Sequence, residues 1–167
     1  MQERRASNHE QFLSFRLGAE VFAIEVLRAR EILDYLEPTQ VPQMPDEILG
    51  VINLRGKVVP VVDLRIKFGM QRSERTRESC IIILEVTLNG EKTVVGAVAD
   101  AVKEVMNLGP DQIEPPPKMG TRLKSEFISG MGKQRDDEFI ILLNVDRIFS
   151  TDELSLMQDA IDGGEAS

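Results

Sequence analysis

Few residues here have chemical reach. His9 is the only histidine and Cys80 the only cysteine of the 167 residues. Nucleophilic catalysis needs a hydroxyl or thiol within hydrogen-bond reach of a base, and a zinc site needs several Cys, His or acidic ligands. One cysteine, and one histidine within the polar stretch MQERRASNHEQ, supply neither. No GxxxxGK[ST] phosphate loop occurs, and no glycine-rich turn precedes a helical pattern. Carboxylates cluster in RDDE (135–138) and DRIFSTDE (146–153). The first reads as solvated charge in a hairpin loop, and the second lacks EF-hand spacing. No catalytic residue, cofactor or metal is expected.

Arg55 stands out for a different reason. In NLRGKVVPVVDLR (53–65) it sits at the tip of what reads as a hairpin, with Gly56-Lys57 as a type II′ turn. Val51, Ile52, Leu54, Val58 and Val59 are expected to anchor the two arms. A hairpin folds without an arginine at its tip. A guanidinium there offers five donors in a planar fork, suited to acidic or carbonyl acceptors on a partner. The bland reading is a solubilising residue on a turn. Asp63 closes the second arm, where a turn aspartate accepts backbone N–H groups.

The elements that must position this tip are mostly strands. QFLSFRLG alternates apolar and polar residues, and GAEVFAIEV follows a glycine turn. AREILDYLEP reads as a strand stopped by Pro38, and Asp46 after Pro45 could start one helical turn. Pro60 cannot donate to a ladder, so its arm is expected at an edge or a bulge. CIIILEVTL and KTVVGAVAD flank Asn89-Gly90, a strong hairpin signal, and AVKEVMNL is a further strand. The proline-rich stretch 109–125 is irregular, and EFISGMG and EFIILLNV make a last hairpin. Ser150 and Glu153 form a capping box for a C-terminal helix over 151–161, with Leu154, Met157 and Ile161 on one face. Residues 1–10 and 162–167 read as flexible tails.

Bulk composition narrows the partners. Net charge is −8, which disfavours nucleic acid and anionic lipid. The densest basic stretch, QRSERTRE (71–78), also carries Glu74 and Glu78 and reads as a solvated loop. The opening stretch does not read as a signal peptide, and no apolar run approaches the roughly 20 residues of a spanning helix. A lone cysteine suits a reducing cytosol, and Cys80, opening an apolar run, reads as a small buried hydrophobe.

The two halves echo each other. FAIEVLRAREIL (22–33) and VGAVADAVKEVM (95–106) agree in residue class at nine of twelve positions, with an offset of 73. Each is followed by a proline-bearing connection, a glycine, a hairpin and an Asp, Asp63 and then Asp146. Two five-stranded units of about 65 residues, each near the lower limit for an independent core, are expected to share one. Closing each into a barrel removes its edges.

The block GVINLRGKVVPVVDLRIKFG (50–69) resembles the signature of the CheW-type chemotaxis coupling proteins. The likeness extends through FAIEVLRAREI, VVGAVADAVKEV, ISGMG and ILLNVDRIF, over about residues 11–160. It implies a mostly β fold of two SH3-like five-stranded barrels sharing a core, with a C-terminal α-helix. The domain would span 11–150 in two subdomains, roughly 11–75 and 76–150, the first strand being open to sharing. It implies a non-catalytic adaptor, without cofactor, joining the cytoplasmic hairpin tip of chemoreceptors to a CheA-type histidine kinase. The length matches the coupling protein itself, and neither a kinase nor a receiver fusion. Such a protein is cytoplasmic and recruited to membrane-associated arrays, with no direct membrane insertion. Position by position, the resemblance assigns receptor contact to Arg55, Gly50, Glu31, Ala29 and Gly96, and structural motif roles to Asn53, Gly56 and Asp63. The family often has a larger β-branched residue at Ala29 and Val-Asp at Ala99-Asp100, which bears on groove shape. The residues alone leave open a small-barrel module for another ligand or nucleic acid, and the family leaves open a coupling protein of a non-flagellar pathway.

Overall fold

A computed structural model describes residues 10–88, 90–116, 125–134, 138–149 and Ser155. Eleven strands occupy β1 Glu10–Leu17, β2 Glu20–Glu25, β3 Ala29–Asp34, β4 Ile48–Leu54, β5 Lys57–Asp63, β6 Cys80–Leu88, β7 Glu91–Ala99, β8 Ala101–Leu108, β9 Ile113–Glu114, β10 Ile128–Lys133 and β11 Phe139–Leu143. Two short helices, α1 Leu64–Lys67 and α2 Val145–Ile148, follow β5 and β11. The helix expected over 151–161 lies outside the described residues, apart from Ser155, which is helical. The turn after Pro45 is a single hydrogen-bonded turn, with Ile48 donating to the Pro45 carbonyl.

The strands form two sheets, and the boundary expected near residue 75 does not divide them. The first sheet runs β8-β1-β2-β11-β10-β9 and the second β3-β6-β7-β5-β4. The N-terminal hairpin β1–β2 therefore belongs with the C-terminal strands, and β6–β7 belongs with β3 to β5. The contiguous subdomains 11–75 and 76–150 are replaced by an exchange of hairpins. The echo survives this exchange. Each half runs hairpin, crossover to the other sheet, single strand, irregular segment, hairpin and short helix. The parallel pairings correspond too: β5 lies along β7, and β11 along β2.

Side-chain alternation explains the apolar run of β6. Ile82, Leu84 and Val86 face a core shared with Phe15, Leu17, Phe22 and Ile24 of the first sheet. Ile81 and Ile83 face a separate cluster with Ile52, Val59, Val61 and Val98. A strand buried on both faces reads as continuous rather than alternating hydrophobicity. The first sheet has its own small cluster on Phe12, Met106, Leu108, Ile140 and Leu142. Cys80 is buried at the edge of the shared core, where burial pushes its thiol up to about 11.

Pro60 departs from expectation, because β5 is an interior strand between β4 and β7. Pro60 lies opposite Val51, whose N–H and C=O are both engaged by Thr39, and the ladder to β7 begins only at Val61. No ladder bond is asked of the proline nitrogen. The nearby bulge is in β4, between Ile48 and Gly50.

Two ionic clamps fix the crossovers between sheets. Arg28, in the 3-10 turn Val26–Arg28 between β2 and β3, donates two bonds to Asp146 of α2, at 2.8 and 2.7 Å. Asp146 also accepts the Thr87 N–H of β6. Asp100, between β7 and β8, receives Arg65 of α1 at 2.7–3.2 Å and the Gly18 N–H of the β1–β2 turn. The two clamps occupy corresponding places in the two halves with acid and base exchanged. Burial works against ionising Asp100 and Asp146, but the arginine and backbone hydrogen bonds outweigh it and hold both carboxyls below their usual range.

Two outcomes follow from this arrangement. Residues 76–167 alone lack β1 to β5 and so half of the shared core; they should show no cooperative thermal transition, whereas the full chain shows one by calorimetry. A folded carboxyl with a depressed pKa contributes stability above its unfolded value, about 3.9, that is lost as pH falls through the folded one. The melting temperature should therefore drop below about pH 4, and less steeply in the Asp100→Asn, Asp146→Asn double variant.

Candidate functional site

The hairpin tip is a two-residue turn whose central residues are Arg55 and Gly56, one position earlier than the sequence reading placed it. Both have left-handed backbones, φ 50° and 87°. That makes it a type I′ turn rather than II′, matched to the right-handed twist of β4 and β5. The Asn53 side-chain oxygen accepts the Gly56 N–H at 2.8 Å and braces the turn. An arginine at left-handed φ is unusual, because its Cβ crowds the backbone, and asparagine or glycine fits better.

Arg55 is 72% exposed and forms an ion pair with Glu31 of β3. The pair joins residues 24 apart in sequence, and it spans the second sheet from one edge to the other, since β3 and β4 are its two edge strands. The Thr39–Val51 bridge holds the segment after β3 against β4. The guanidinium keeps the Glu31 carboxyl below its usual range. Because the pair is exposed, its contribution to folding is small. Along β3 and its flanks, Leu27 (87%), Ile32 (46%) and Leu36 (44%) are exposed apolar residues. Val58, expected to anchor its arm, is itself 41% exposed, while Ile52 and Val59 are buried.

The other assigned residues separate into different roles. Ala29 begins β3, half-buried and packed against the shared core. Gly50 and Gly96 are buried. Gly50 has φ 144°, and a Cβ there would land on the Thr39 carbonyl oxygen; glycine lets Thr39 approach β4. A Cβ on Gly96 would meet Ile81 at 2.8 Å, so this glycine lets β7 pack beside β6 and β5. Asp63 is buried, caps α1 by accepting the Arg65 N–H, and pairs with Arg75. Its carboxylate thus does accept a backbone N–H. Among the described residues no group of His, Cys, Asp and Glu is placed to hold a metal ion, and no helix is long and apolar enough to cross a membrane.

The loop 71–78 is not merely solvated charge. Arg75 is tucked between Asp63, at 3.1 Å, and the Tyr35 ring, 4.7 Å from its centroid. Sequence reasoning missed this docking and both ionic clamps. Asp100 and Arg28 each stand at the crossover within the echoing segments, which was the available signal.

A family model described as "CheW-like domain" matches residues 11–153. The chain is 35% identical over 150 residues to the chemotaxis protein CheW of Klebsiella aerogenes, covering 90% of this chain and 87% of that one. It is 32% identical over 143 residues to the probable chemotaxis protein CheW of Rhizobium etli, covering 86% and 89%. Among solved structures, the scaffolding protein TtCheW from Thermoanaerobacter tengcongensis superposes with a TM-score of 0.76 at 33% identity, covering 86% and 90%. The chain belongs to the CheW-like domain family.

If Arg55 does not serve the fold, relieving its backbone should be harmless or better. Arg55→Asn creates the Asn-Gly pair that a type I′ turn favours. Its melting temperature should equal or exceed that of the unaltered chain; a fall of more than about 3 °C would show the ion pair to be a structural support.

Proposed function

We propose that the chain is a non-catalytic adaptor linking the cytoplasmic hairpin tip of chemoreceptors to a CheA-type histidine kinase, and that it works on the cytoplasmic side at membrane-associated receptor arrays. Family membership supports the reading, since the curated relatives are chemotaxis proteins and the structural relative is a scaffolding protein. The observation that carries it is the edge of the second sheet: an exposed arginine held on a strained turn and paired with Glu31. Strain at a position that gains the fold little marks a residue kept for a partner.

The geometry suits a helical hairpin. Glu31 aims the guanidinium, and an exposed pair of this kind exchanges one carboxylate for another at little cost. A receptor carboxylate or helix-end carbonyl can take the fork. The kinase's related domain meets other surfaces of the two sheets. No covalent step is involved, so the adaptor acts by occupancy.

Calorimetric titration with a receptor cytoplasmic fragment tests the reading, with single-stranded DNA as the contrast. The fragment should bind and DNA should not, and Arg55→Asn should weaken fragment binding by about tenfold or more without unfolding the chain. Added to receptor and kinase, the protein should raise kinase autophosphorylation to a plateau set by its concentration. Phosphate transfer onto this chain, or absence of fragment binding, would refute the adaptor reading.

A further inference from the structure

The two clamps correspond in the two halves but not in their position relative to Glu31 and Arg55. Arg28 ends the 3-10 turn that leads directly into β3, one residue before Ala29 and three before Glu31. Its two-pronged contact reaches Asp146 on α2, which follows β11 of the first sheet, and it donates in addition to the Glu85 carbonyl of β6. Val145, Ile148 and Phe149 seat α2 and the residue after it in the shared core. The path from the β3 edge to the first sheet is thus short: β3, Arg28, Asp146, α2. The other clamp stands at the opposite end of β3, where Asp34 pairs with Cys80 and Cys80 with Ala99, next to Asp100. Arg65 and Asp100 join α1 to the second crossover and the β1–β2 turn without touching the lead-in to β3.

We propose that the Arg28–Asp146 clamp is a positioning element that transmits partner binding at β3 to the first sheet, and that Arg65–Asp100 is a static brace. This rests on the adaptor reading above and adds the residues through which occupancy of one sheet alters the other. A bidentate guanidinium–carboxylate contact has directional rigidity that a single charge lacks, so it ties the placement of β3 to that of α2. Both ends of the link are shape-fixed: α2 by its buried side chains, and Arg28 by Glu85 and the start of β3.

A matched pair of variants separates transmission from stability. Asp146→Asn and Asp100→Asn each remove one charge while leaving an oxygen to accept Thr87 or Gly18. Each is assayed for melting temperature, affinity for a receptor cytoplasmic fragment, and receptor-dependent kinase autophosphorylation at saturating adaptor. Asp146→Asn should bind the fragment within about twofold of the unaltered chain yet stimulate the kinase less than about a third as well. Asp100→Asn should melt at a comparably reduced temperature and keep its stimulation within about twofold. Arg28→Lys, which keeps a cation but loses the fork, should reproduce the Asp146→Asn split. Stimulation like that of the unaltered chain by both Asp146→Asn and Arg28→Lys overturns the proposal, as does an equal loss in Asp100→Asn. If the unaltered chain itself neither binds the fragment nor stimulates the kinase, the adaptor reading fails instead.

Discussion

Everything in this molecule depends on one buried interface: the apolar face that the two sheets share. Phe15, Leu17, Phe22 and Ile24 on one side and Ile82, Leu84 and Val86 on the other are nearly or wholly removed from water. Among the described residues, the smaller clusters inside each sheet hold six buried residues apiece. Units of this size bury too little surface to stand alone, so the interior between them carries the fold. The exchange of hairpins makes that dependence covalent. Each half of the chain contributes to both sheets, and the crossovers, Val26–Arg28 and Asp100, pass along the interface and are clamped where they pass.

The surface edge and the interior follow different physical rules. Arg55 is an exposed charge paired with a half-buried Glu31, and an ion pair with one end in water contributes little to folding. Arg65–Asp100 and Arg28–Asp146 are partly shielded and geometrically forked, and their carboxylates also satisfy backbone donors. Charge at the edge is available for a partner, and charge at the crossovers holds geometry. Buried Gly50 and Gly96 belong with the second group, since each is the absence of a side chain where a neighbour must come close.

Much of this was legible in the residues. The β6–β7 hairpin around Asn89-Gly90, the strand character of AREILD and the repeat at an offset of 73 follow from local chemistry: turn residues, alternation and class matching. What escaped is nonlocal. The repeat reveals two similar halves, but only the pairing of β1 with β8 reveals that they trade hairpins. Pro60 read as an edge or bulge residue because its missing donor was legible, while the engagement of Val51 by Thr39 was not. The turn slipped by one residue because glycine suits either central position, and only the positive φ of Arg55 decides between them. Arg75 looked solvated because Asp63 and Tyr35, its neighbours, lie 12 and 40 positions away.

The exchange of hairpins also sets an order of events as the chain leaves the ribosome. β1 and β2 emerge first, yet their neighbours β8 and β11 are among the last strands made. The second sheet has all five of its strands once residue 99 is out, while β10 and β11 of the first are still to be made. Through that interval Phe15, Phe22 and Ile24 have only one wall of their interior to lean on. A lone two-stranded hairpin is marginal in water, so the N-terminal segment waits, apolar and half-covered, until the C-terminal strands arrive. Vectorial synthesis thus makes β1 and β2 wait for the later strands β8 and β11 that enclose them.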